Sequence, residues 1–223
     1  MKTSEIRSIN TVVSWGGGKV DVETSLESTR NRDVESKLKL SGGDYLEVET
    51  AMGLSGMTGA VSQVGVINAY AARINLPENI LDVFISLVRS DLGERSESFV
   101  TLPEPFNIDV FGVGEFSVSE NVVLTWSPAN PGSDIIVDIS PRGYFLGAPI
   151  DGRNTLYRQL IPDTGMYEIP LSSVFADMDM SVSVLQRNHI LLVRENSGTL
   201  SSGFDGGSIA GYQVRGININ VSE

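Results

Sequence analysis

Apolar and polar side chains alternate along most of this chain, and a period of two is what strands show when they bury one face. The alternation is plainest over residues 19–26 and 45–49, and it continues over 35–40 and 70–76. Residues 81–89 are more densely apolar, which predicts a central strand. In the second half the same pattern predicts strands at 106–111, 122–126, 135–139, 167–169, 181–187, 190–194 and 212–221. No long amphipathic helix separates them, which favours packed sheets over a βαβ arrangement. One short helical period places Leu171, Val174, Phe175 and Met178 on one face. Eight residues are too few for an independent helix, so a helical turn capping a core is expected.

Punctuation divides the pattern. Residues 100–106 read VTLPEPF, with two prolines around Glu104. Proline removes ladder donors and extends its neighbours, so this stretch is expected to be a semi-rigid linker between domains. Residues 1–18 are expected to be a polar lead-in ending in the turn Gly16-Gly17-Gly18, followed by one sandwich over 19–102 and a second over 103–223. Residues 52–65 hold Gly53, Gly56, Gly59 and Gly65, too much glycine for a helix, and are expected to form a hairpin connection. In the second half, Trp126 ends an alternating run at a proline turn, and another run follows before Asp163-x-Gly165-x-Tyr167. That order is what immunoglobulin-like and fibronectin-like sandwiches write into their sequences, the last motif matching either a tyrosine corner or an ordinary strand-entry turn. The expected fold is all-β, with two antiparallel β-sandwich (immunoglobulin-like) domains in tandem.

Composition narrows the function. The 223 residues suffice for two sandwiches of about 100 residues each. Hydrophobic residues make up 41%, enough for real cores. The net charge of −12 argues against neutralising phosphates of DNA or RNA, and against a surface held on anionic lipid. There is no cysteine, hence no disulfide framework and no thiolate nucleophile. No apolar run is long enough for a membrane-spanning helix. The first fifteen residues carry Lys2, Glu5 and Arg7 and lack the apolar run of a signal peptide, so if the protein is exported its signal is expected to have been removed before this numbering.

Candidate chemistry is sparse. His189 is the only histidine, no G-x-S-x-G elbow accompanies it, and a strand-flanking turn is the expected place for it. Ser36-Lys37-Leu38-Lys39 satisfies S-x-x-K, but in an alternating stretch Ser36 and Lys39 would point to opposite sides. No catalytic residues are expected, and the protein is not expected to be an enzyme. Asp177 and Asp179 flank Met178, and Asp151-Gly152-Arg153-Asn154 offers a turn of oxygen ligands; these are the places where a structural calcium could bind, set against solvated loop acids. No other cofactor is expected. Tyr144, Phe145 and Tyr157, with Trp15, lie near glycine or proline turns. Such rings either plug the ends of a sandwich core or form platforms for sugar faces. Tyr144, Phe145 and Tyr157 are therefore the candidate ligand-binding residues.

Four motifs together, Leu102-Pro103-Glu104-Pro105-Phe106, LTWSP at 124–128, GMYEIP at 165–170 and LQR at 185–187, resemble the pattern of exported bacterial proteins of unassigned function, many of them lipoproteins, that carry a C-terminal sandwich. Residues 203–221 are similar to their closing strand. The resemblance implies a periplasmic, outer-membrane-surface or secreted protein. The expected role is a non-catalytic binding or structural module of the bacterial cell envelope, engaging a protein or glycan partner through loops or a strand edge. The alternative is a carbohydrate-binding module using the loop aromatics.

Overall fold

Residues 2–29, 37–61, 67–110, 115–141, 156–176 and 186–222 are described by a computed structural model, and they are all-β. In chain order the strands are β1 (Ile6–Ser14), β2 (Lys19–Ser28), β3 (Tyr45–Thr50), β4 (Gly53–Gly56), β5 (Thr58–Val61), β6 (Ile67–Asn75), β7 (Asp82–Arg89) and β8 (Glu94–Thr101). There follow β9 (Asn107–Val110), β10 (Glu115–Ser117), β11 (Asn121–Ser127), β12 (Asp134–Pro141), β13 (Tyr157–Pro162) and β14 (Met166–Pro170), then a single helical turn, α1 (Leu171–Val174), and finally β15 (Gln186–Ser197) and β16 (Gly207–Ser222). No helix among the described residues is long and apolar enough to cross a membrane.

Two compact units emerge. The first comprises Met1–Glu104 with Glu195–Gln213, and the second Pro105–Arg194 with Val214–Glu223. In the first, β4, β3, β7 and β8 form one sheet in that order, and β1, β2, β6 and β5 lie in sequence in another. Leu46, Val48, Val83, Ile85, Leu87 and Val100 from the first of these sheets share a buried cluster with Val12, Val20, Val22 and Leu26 from the other. In the second unit, Val122, Leu124, Trp126 and Ile169, on the sheet β14-β11-β9, share a cluster with Ile135, Val137, Ile190 and Leu192 of β12 and β15. Each fully buried Val, Leu or Ile contributes about 1.5–3 kcal/mol relative to exposure. The expected cap is present in short form: Leu171, Val174 and Phe175 join the second cluster, while Met178 lies outside the described residues.

Pairing is not antiparallel throughout, which corrects the expectation for the sheets. β16 runs parallel to β1, Ser8 to Ser14 opposite Gly207 to Gln213, and β10 also runs parallel to β16. Parallel neighbours require a long connection, and here nearly the whole chain separates β1 from β16.

The polar lead-in contains a full strand. On β1 the inward positions include Ser8, Asn10 and Ser14, so its apolar alternation is weak. Two of these buried groups, with Thr24 of β2, satisfy one another: Thr24 Oγ1 donates to Asn10 Oδ1 at 2.8 Å, and Asn10 Nδ2 donates to Ser8 Oγ at 3.1 Å. β8 hides its period in the same way, with Ser96 and Ser98 inward beside Val100. The stretch 100–106 is less of a free spacer than its prolines imply, since Leu102 and Phe106 are both buried.

Candidate functional site

Residues 50–61 read Thr-Ala-Met-Gly-Leu-Ser-Gly-Met-Thr-Gly-Ala-Val, and the glycine-rich part forms strands where a plain connection was expected. Gly53, at φ +115°, turns the chain back from β3. β4 then pairs antiparallel with β3, placing Gly53, Leu54, Ser55 and Gly56 opposite Thr50, Glu49, Val48 and Glu47. Met57 is buried, and its N–H donates to Leu46 O at 2.9 Å. Beyond it β5 pairs with β6, with Thr58, Gly59 and Ala60 opposite Ala71, Tyr70 and Ala69. Glycine is a poor strand former in isolation, but here the backbone ladder and the Met57 anchor impose the extended form.

One extended segment, residues 53–61, is therefore the terminal strand of two sheets in succession. A terminal strand presents a row of unpaired backbone donors and acceptors, which proteins ordinarily shield with charge, proline or a covering segment. The other terminal strands follow that rule. β13 carries Arg158 and Pro162, β14 carries Glu168 and Pro170, and β9 carries Asp109. β8 carries Glu94, Arg95 and Glu97 and also exchanges backbone bonds with Thr199, Phe99 N to Thr199 O at 2.9 Å and Thr199 N to Phe99 O at 2.7 Å. Residues 53–61 contain neither charge nor proline; the ladder breaks at Met57, and the register shifts between Ala60 and Val61. Leu54 is 63% exposed, and a side chain at Gly56 would meet nothing within 4 Å.

The sheet face beside β4 is charged. Arg95 reaches across Ser86 to three carboxylates, bonding Glu47, Glu49 at 3.2 Å and Glu97 at 3.3 Å. Glu47 is nearly buried in this arrangement, whereas Glu49 remains about half exposed. Phe84 and Phe99 pack on the same face with centroids 4.8 Å apart.

Of the candidate ligand-binding residues, Tyr157 alone is among the described residues. Tyr157 is half-buried on β13, its hydroxyl 2.7 Å from that of Tyr167, and both contact Gln159 Oε1. Burial, then the contact with Tyr167, pushes its phenol well above the usual tyrosine range. Both rings pack against the second core, so they close its side between β13 and β14. The Tyr167 hydroxyl bonds the Tyr157 and Gln159 side chains of β13, and Gly165, at φ +88°, makes a strand-entry turn before it. Tyr144, Phe145, Asp177 and Asp179 lie outside the described residues, as does the loop at 151–154. Trp15 donates to Asp21 at 3.0 Å, and Asp21 also takes a bidentate bond from Arg73. His189 is half-buried on β15 opposite Ser140, and Lys37 bonds Ser25 and Glu27, each at 2.6 Å. Among the described residues no group of three or more His, Cys, Asp or Glu is placed to hold a metal ion. A polar cleft of about 340 Å³ opens between Lys2, Gly42, Asp44, Arg89 and Asp91, but Arg89 and Asp44 are already joined at 2.5 Å.

Compared with known proteins, the chain matches no family model and no curated protein at a significant level.

Proposed function

We propose that this protein is a non-catalytic binding or structural module of the bacterial cell envelope, and that it takes up an extended segment of a partner along residues 53–61. The carrying observation is the terminal strand over 53–61, which lacks the charge or proline carried by the other sheet ends among the described residues. Adding a strand supplies affinity through main-chain hydrogen bonds and selectivity through alternate side chains. In this reading each unit is an immunoglobulin-like sandwich, supported by the single core that side chains of two sheets share in each. Envelope placement is supported by the motif resemblance over 102–106, 124–128, 165–170 and 185–187. The glycan-binding alternative has less support, because the Tyr157 hydroxyl is engaged by Tyr167 and Gln159.

Selection of peptides from a random display library tests this role. Enriched peptides are expected to protect the amides of residues 53–61 from hydrogen exchange and to lose binding on the double substitution Leu54→Lys, Thr58→Lys, at two exposed positions. Peptides that bind the double variant unchanged and protect some other surface would contradict it.

A further inference from the structure

Resting on that edge-docking role, we propose that the partner is a cationic extended segment, with a Lys or Arg directed over Gly56 towards Glu47 and Glu49 and an apolar side chain two residues away against Leu54. Register sets these positions. Leu54 and Gly56 stand opposite Glu49 and Glu47, so all four positions open onto the same sheet face. A strand added beyond β4 would place its residue opposite Gly56 two strand spacings, roughly 10 Å, from Glu47. A long basic side chain can cross that gap because position 56 carries no side chain and a Cβ there would meet nothing within 4 Å. At position 54 the exposed leucine fills the equivalent space and asks for an apolar neighbour.

Charge selects the occupant. Three carboxylates share the Arg95 guanidinium, so the face next to the open edge keeps a surplus of negative charge. A second copy of the chain would bring the same surplus, on a molecule of net charge −12. An acidic or neutral strand would leave the surplus charge of the Glu47, Glu49 and Glu97 cluster unbalanced as the edge is covered.

The decisive experiment measures fluorescence anisotropy and amide exchange with a short, end-capped peptide carrying threonine at odd positions and alternating lysine and valine at even ones. Counterparts replace lysine with serine or glutamate. The lysine peptide is expected to bind, to protect residues 53–61 and to weaken as salt rises. Glu49→Gln is expected to weaken it by about three- to fivefold, the scale of one partly exposed ion pair. If the serine and glutamate peptides bind equally well at the same amides, edge docking stands and the cationic partner is wrong. If no peptide protects residues 53–61, edge docking falls and this inference with it. Protection of the same amides in concentrated protein alone, with dimer formation in ultracentrifugation, would make a second copy the occupant and overturn the cationic segment.

Discussion

Arg194 and Asp163 form an ion pair closed off from water: Nε donates to Oδ2 at 2.7 Å, and the two side chains are 3% and 0% exposed. The pair is completely furnished with partners. Trp126 Nε1 donates to the other carboxylate oxygen at 2.6 Å, Arg194 Nη2 donates to Pro128 O at 2.6 Å, and the guanidinium lies 4.6 Å from the Phe106 ring centre. A buried charge is tolerable only under such conditions. The network ties β11, β13 and β14, and β15 of the second unit around Trp126, one of the residues that made the sequence read as a sandwich.

Removing one member should cost far more than removing both. Arg194→Met leaves the carboxylate buried without its cation and is expected to lower stability by about 3–5 kcal/mol. Adding Asp163→Asn to that variant should recover part of the loss. Denaturant unfolding of both variants, followed by tryptophan fluorescence, checks the cycle.

Acid should release the same lock. Burial pushes the Asp163 carboxyl up, but hydrogen bonds from Arg194 and Trp126, and from the Asn130 backbone, more than offset it and hold the group below 3.8. A carboxyl depressed on folding contributes stability that is present above its unfolded value and lost as pH falls through its folded one. The wild type should therefore lose stability progressively below pH 3.8, and Asp163→Asn should show a flatter acid limb. Stability measured against pH in both proteins tests the sign.

Tyr157→Phe keeps the ring and removes one hydroxyl from the clasp with Tyr167 and Gln159. Tyr167 retains its bond to Gln159 at 2.7 Å, so the expected cost is only about 0.5–1.5 kcal/mol. In an ultraviolet titration the wild type should hold back one tyrosine that ionises above the ordinary range, and the variant should lack it.

Gly207 opens β16 at φ +122°, and a Cβ there would collide with the Ser8 backbone. The parallel pairing of β16 with β1 depends on that close approach. Gly207→Ala is expected to destabilise the first unit by about 2–3 kcal/mol and to deprotect β1 amides in hydrogen exchange.

Strands with apolar inward positions were legible in the sequence. Val20, Val22 and Leu26 of β2, or Val122, Leu124 and Trp126 of β11, announce both the strand and its buried face. β1 and β8 were not legible, because serine and asparagine occupy inward positions and only their partners across the sheet make that burial affordable. β4 and β5 were hidden by glycine, whose extended form comes from pairing with β3 and β6. The candidate edge was therefore readable only as an absence of charge over 53–61, a clue without meaning until the strand is known to end a sheet. Asp163 stood out in the sequence only as the first residue of Asp163-x-Gly165-x-Tyr167, and its meeting with Arg194 across 31 residues has no local signature.

Amide hydrogen exchange of the free monomer, read along residues 53–61, is the most direct measurement of the central claim. An open edge predicts that amides on its outer side exchange orders of magnitude faster than those of β7, and that the lysine-valine peptide slows them. Protection equal to that of β7 in the free monomer, unchanged by peptide, would mean that the edge is already covered and that no partner docks there.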